Sequence, residues 1–104
     1  MRLKGSELRS ILVTISRHTK GLPCQVYLFG SRADDAKLGG DIDLLIVADE
    51  PLKSSLLERK GRLKSDLSQS LNDQRVDVTV ASSEDLVRDD FLKSIFPGAV
   101  SLGQ

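Results

Sequence analysis

The sequence predicts an α/β domain, a small mixed sheet with helices packed mainly on one face. Three observations carry that reading. Apolar residues recur at helical spacing in two stretches, at Leu8, Ile11, Leu12 and Ile15 and again at Leu52, Leu56, Leu63, Leu67 and Leu71. Three short runs rich in β-branched and aliphatic residues alternate with them: Q-V-Y-L-F, D-I-D-L-L-I-V and R-V-D-V-T-V-A. Gly, Pro, Asn and Asp stand at most of the junctions.

In chain order, Ser6 opens the first helix, and Gly21 and Pro23 stop it. Gln25 to Phe29 forms the first strand and ends at Gly30. Ser31 caps a brief helical segment through about Lys37, with Asp34 three residues on as in a capping box. Gly39-Gly40 breaks the chain before the second strand, Asp41 to Val47. Pro51 sits just inside the next helix, with Asp49 and Glu50 suited to its positive N-terminal end. Lys53, Arg59, Arg62 and Lys64 make much of that helix's wet face. Asn72-Asp73 turns the chain into the third strand, Arg75 to Ala81. Ser82 and Ser83 cap a short fourth helix whose first turn holds Glu84 and Asp85. Phe91 to Phe96 adds another helical turn or two before Pro97-Gly98, and Ala99 to Leu102 reads as a terminal strand. The helix between the second and third strands is long enough for a crossover, so these two strands are expected to be parallel. The link between the first and second strands leaves their relative direction open.

A chain of 104 residues is read as one domain spanning residues 1–104, which buries roughly two thirds of its unfolded surface. Lys plus Arg and Asp plus Glu balance at 15 each, so no net charge draws the chain to nucleic acid or membrane. Nucleic acid is therefore not expected as the primary partner. The single cysteine, Cys24, excludes an internal disulfide. No stretch approaches the roughly 20 apolar residues that span a bilayer, and Met1, Arg2 and Lys4 lead into an amphipathic segment. A cytoplasmic location is expected.

The chemistry lies in the strands. Alternate strand residues share a face, so Asp41, Asp43, Leu45 and Val47 point one way, while Ile42, Leu44 and Ile46 point toward helices. In the third strand Asp77 and Thr79 share a face opposite Val76, Val78 and Val80. If the strands are parallel and in register, Asp41, Asp43 and Asp77 meet at one edge. Like charges so placed raise one another's pKa and call for a cation. Arg32, Lys37 and Arg75 are candidates, but a divalent metal is the better one. Magnesium prefers oxygen ligands, uses few carboxylates and shares its remaining sites with water and substrate phosphates. A lone Asp after Gly39-Gly40 would be equally at home as a turn residue. The repetition on two strands is what favours the site.

Gly30-Ser31 joins a buried strand to a short helix. Glycine permits a close backbone approach, and the free N–H groups of a helix start suit a phosphate, within reach of the Ser31 hydroxyl and of Arg32. A plain turn glycine followed by a plain N-cap serine fits the same two residues, Gly30 and Ser31.

G-S-R-A, a spacer, then D-I-D-L-L-I-V and a later R-V-D-V-T-V together resemble the signature of the polymerase-beta nucleotidyltransferase superfamily. More narrowly they resemble the minimal nucleotidyltransferases of bacteria and archaea. The resemblance covers Ser6 to Ala81, the tail fitting less clearly. It implies a polymerase-beta-type fold. It also implies that Gly30 and Ser31 bind the phosphates of an NTP, most simply ATP, with Arg32 close enough in sequence to join them. Asp41 and Asp43 would be ligands to magnesium, two ions in number. Asp77 would complete the metal site and help activate an acceptor hydroxyl. Gly40 departs from the pattern, because many relatives carry Ser before the first Asp. The chain has no room for a separate acceptor-binding domain. The resemblance implies a partner, typically a helical HEPN-domain protein, which such antitoxins adenylylate, in a hetero-oligomer or alongside a homo-oligomer. Nucleotidyl transfer to a small molecule such as an aminoglycoside is the enzymatic alternative. An antitoxin acting by binding alone is the other.

The remaining residues take ordinary roles. His18, at a helix C-terminus, serves the dipole or water. Cys24 is an inert thiol, and Tyr27 and Phe29 pack in the core rather than against a base.

Overall fold

The computed structural model describes residues 3–33 and 40–103. Asp34, Lys37 and Gly39, and the side chain of Ser31, lie outside what is described, so the expected capping box, the Lys37 cation and the Ser31 hydroxyl are not placed.

The first helix, α1, spans Gly5–Thr19 and buries Ile11 and Ile15. It starts one residue before the expected Ser6, because the Glu7 carboxylate accepts the Lys4 backbone N–H at 2.9 Å and closes the first turn there. Lys20, in a left-handed conformation, ends it by donating its N–H to the Ser16 carbonyl. Strand β1 is Gln25–Phe29, followed by a 3-10 turn at Gly30–Ala33. Strand β2 is Ile42–Val47, which leaves Asp41 just ahead of the strand rather than at its first position.

The single long helix expected after Pro51 is two, α2 at Leu52–Glu58 and α3 at Lys60–Ser70. The join at Arg59 departs from helical geometry beside Gly61, a weak helix former. Yet the Leu63 N–H still reaches the Arg59 carbonyl, and Leu52, Leu56, Leu63, Leu67 and Leu71 keep one buried face. Pro51 stands before the helix instead of inside it, and Glu50 accepts from the Ser54 amide and hydroxyl. Asn72 and Asp73 both take positive φ, the tight turn their side chains tolerate. Strand β3 is Val76–Ala81. Helix α4, Asp85–Arg88, is held by a reciprocal pair between Ser82 and Asp85. Helix α5, Asp90–Ile95, is capped by the Asp89 carboxylate on the Leu92 amide. Strand β4, Val100–Gly103, closes the sheet.

Among the described residues the sheet has four strands in the order β3-β2-β1-β4. Strands β2 and β3 are parallel as expected, while β1 runs antiparallel to both β2 and β4. The short connection before β2 therefore reverses the chain, which settles the direction the sequence left open.

Helices α1, α2 and α3 cover one face, where Val26, Leu28, Ile42, Leu44 and Ile46 are fully buried against Ile11, Leu56, Leu63 and Leu67. The opposite face carries a smaller core that the strand pattern did not announce. Leu45, Val47 and Ala81 pack there with Leu92, and Tyr27, Phe29, Leu86, Ile95 and Phe96 lie against them. The Tyr27 and Phe96 rings meet edge-on at 5.0 Å between centroids. Half of this second face is thus apolar and covered by α4 and α5, and the rest is left for the carboxylates.

Candidate active site

The parallel register decides the arrangement. Asp43 is paired with Asp77 across β2 and β3, with Leu45 opposite Thr79 and Val47 opposite Ala81. Residues opposite one another point to the same face. The antiparallel partner of Asp43 on its other side is Phe29, the last residue of β1. The start of β2, the start of β3 and the end of β1 therefore meet at one end of the sheet.

Gly30 stands at that meeting point with φ of +75°, a region that penalises any side chain. A Cβ there would overlap Oδ2 of Asp43 and come within 3.3 Å of its Cγ. The glycine is required twice, by its backbone and by the carboxylate resting against it. Gly40, with φ of +95°, is a second position where the backbone suits glycine.

The electrostatics agree with a crowded anionic edge. Asp43 is held above the ordinary carboxylate range, first by burial, then by the charge of Asp77 and that of Asp41. Asp41 and Asp77 line a cleft of about 530 Å³ together with Lys64, Ser65, Ser68, Arg75 and Val76. Lys64 Nζ stands 3.3 Å from Asp77 Oδ1 and is the cation that sequence reasoning assigned only to a wet helix face. Nothing in the residues around Lys64 marks Asp77, 13 positions on, as its partner. Arg75, a proposed cation, does line the cleft.

Arg32 is anchored rather than dangling. Its Nε donates to the Gly40 carbonyl at 3.2 Å and its guanidinium to Gln74 Oε1 at 2.9 Å. Gln74 Nε2 in turn donates to Glu7 Oε2 at 2.7 Å. Glu7 is held below the usual range by that bond, then by the Lys4 amide and, after burial's opposing effect, by the Arg32 charge. This relay ties the Gly30–Ala33 turn, the approach to β2, the approach to β3 and α1 together. Neither Glu7 nor Gln74 belongs to a motif, and their separation of 67 residues hides the pairing from the sequence.

His18 lies elsewhere, its Nε2 2.8 Å from Asp66 Oδ2, so its partner is a carboxylate on α3 rather than water. Cys24 is buried, and burial pushes its thiol pKa up, as an inert thiol requires. A second cleft of about 510 Å³ lies at the other end of the sheet, lined in part by Cys24, Val47, Asp49, Glu50 and Pro51. Its acids are engaged locally, Asp49 by the Ser83 amide and hydroxyl and Glu50 by Ser54.

A family model for the nucleotidyltransferase domain matches residues 7–96. The chain belongs to the nucleotidyltransferase domain family. No curated protein matches it. As a nucleotidyltransferase domain it is a transferase that moves nucleotidyl groups, and the mixed sheet with its helix layer is compatible with the polymerase-beta-type fold. No helix among the described residues is long and apolar enough to cross a membrane.

Nucleotidyltransferase domains generally use an NTP and divalent metal. Asp41, Asp43 and Asp77 offer the hard carboxylate oxygens that such an ion prefers. As placed, no three His, Cys, Asp or Glu among the described residues stand close enough to ring one ion. Lys64 occupies part of that role at Asp77.

Proposed function

We propose that this nucleotidyltransferase domain transfers AMP from ATP to a hydroxyl of a protein partner and releases pyrophosphate. The observation that carries the reading is the register of Asp43 with Asp77 on parallel strands, with Gly30 against the Asp43 carboxylate. Asp41, Asp43 and Asp77 would hold magnesium, which when bound offsets charge on the phosphates and the leaving pyrophosphate. Gly30, Ser31 and Arg32 would hold the triphosphate, the first two by backbone approach and the third by charge. Arg32 is kept in line by Gln74 and Glu7. Asp77 would accept the proton of the attacking hydroxyl, and release of its Lys64 contact would free the carboxylate for that role. The open cleft beside Asp41 and Asp77 leaves room for an acceptor segment from outside the chain. A HEPN-type toxin is the partner that the sequence resemblance supports, in a cytoplasmic toxin–antitoxin pair.

One observation favours a second reading, an antitoxin that acts by binding alone. Lys64 already neutralises Asp77, as a permanent cation would in a site that no longer takes metal. Incubation with a purified HEPN-domain partner, ATP and magnesium, followed by intact mass of both proteins, separates the two. Gain of AMP units on the partner, lost in the Asp41→Asn, Asp43→Asn double variant, is expected. Stoichiometric neutralisation with no mass change, equally by the double variant, would establish the binding antitoxin instead.

A further inference from the structure

Two aromatic rings stand beside the acidic edge, and one of them is largely bare. Phe29 is the direct cross-strand neighbour of Asp43 and shares its face. The Phe91 ring meets it edge-on, with centroids 6.4 Å apart and planes at 79°. Phe91 is nevertheless 55% exposed, in the first turn of α5. The other aromatics on this face, Tyr27 and Phe96, spend their contact on one another over the small core. An exposed ring braced by a second ring is costly surface, and the bracing ring, Phe29, is one cross-strand step from the carboxylate against Gly30.

We infer that Phe91, braced by Phe29, is the stacking platform for the base of the incoming nucleotide. The inference rests on the reading of the carboxylate edge as an NTP site. A triphosphate held at Gly30 and Asp43 directs its ribose and base either off the sheet end or back along β1. Among the described residues the second direction meets a π surface, first Phe29 and then Phe91. Every base has a π face, so the platform takes ATP and GTP alike and leaves base choice to other groups.

Calorimetric titration of the full chain with ATP, GTP and inorganic tripolyphosphate, all with magnesium, tests it. Wild type should bind both nucleotides at least about fivefold more tightly than tripolyphosphate, the low end of base–aromatic stacking. Phe91→Leu keeps apolar bulk against Phe29 but removes the π face, and should erase that difference while leaving tripolyphosphate affinity unchanged. Phe91→Tyr should retain it. Circular dichroism of each variant verifies the fold. If Phe91→Leu binds ATP as wild type does, or wild type binds ATP and tripolyphosphate equally, the platform is refuted and the phosphate site stands. If wild type binds neither, the NTP reading of the edge falls and the platform with it.

Discussion

Replacing Gly30 with alanine separates the backbone role of that glycine from its role beside Asp43. At φ of +75° an alanine is strained by roughly 1–2 kcal/mol. For a domain near this size that lowers Tm by about 5–10 °C. Gly21 supplies the control. Its φ is +83°, but a Cβ there meets nothing within 4 Å, so Gly21→Ala should cost a similar amount and leave the site alone. Gly30→Ala carries a further consequence, because its Cβ would displace the Asp43 carboxylate. Differential scanning fluorimetry, with and without ATP and magnesium, reads both effects. The two variants should lose similar stability without ligand, and only Gly30→Ala should also lose the upward Tm shift on adding nucleotide and metal. If Gly30→Ala keeps the full ligand shift, the contact with Asp43 has no part in binding.

Asp43→Asn should raise the stability of the ligand-free protein while abolishing magnesium-dependent nucleotide binding. Unit charges about 5 Å apart repel by about 0.8 kcal/mol in water, and because Asp77 is exposed and shared with Lys64 a gain below about 0.8 kcal/mol is expected, read from urea unfolding. A loss of stability would mean that Asp43 serves the fold. Asp85 is held down to about 2, first by the Ser82 amide and then by Lys53. A depressed folded pKa contributes stability that is present above the ordinary value of 3.8 and is lost as pH falls toward about 2. Asp85→Asn should therefore flatten the acid limb of the Tm–pH curve across that window, and an unchanged limb would show that the Ser82 pairing is not the source. Gln74→Ala, which cuts the Arg32–Glu7 relay, should weaken tripolyphosphate binding more than Glu7→Ala does, because Gln74 accepts from the Arg32 guanidinium and Glu7 is bonded to Gln74. Equal losses measured by calorimetry would place the effect in α1 packing.

The strands and the main core were legible because each signal is local. Ile42, Leu44 and Ile46 alternate with Asp43 and Leu45, and period two assigns faces without knowledge of neighbours. The parallel pairing of β2 and β3 followed from the length of the crossover, and with it the meeting of Asp43 and Asp77. What escaped depends on contacts distant in sequence. The Lys64–Asp77 pair, the Arg32–Gln74–Glu7 relay and the His18–Asp66 pair join residues whose own neighbourhoods carry no mark of a partner. The second core escaped because Leu45 and Val47 share a face with carboxylates, and because α4 and α5 are too short for helical periodicity to announce what they cover. The break at Arg59 was invisible because the leucine stripe continues across it.

Nucleotide and metal are expected to meet at the Asp41, Asp43 and Asp77 end of the sheet. Manganese can stand in for magnesium and broadens nearby amide resonances by paramagnetic relaxation. Titration of an isotopically labelled chain with manganese in the presence of ATP locates the ion directly. Broadening should appear first at the amides of Gly30, Asp43 and Asp77, and should disappear in the Asp41→Asn, Asp43→Asn double variant. Broadening centred instead on Asp49 and Glu50, in the cleft at the opposite end of the sheet, would contradict the account.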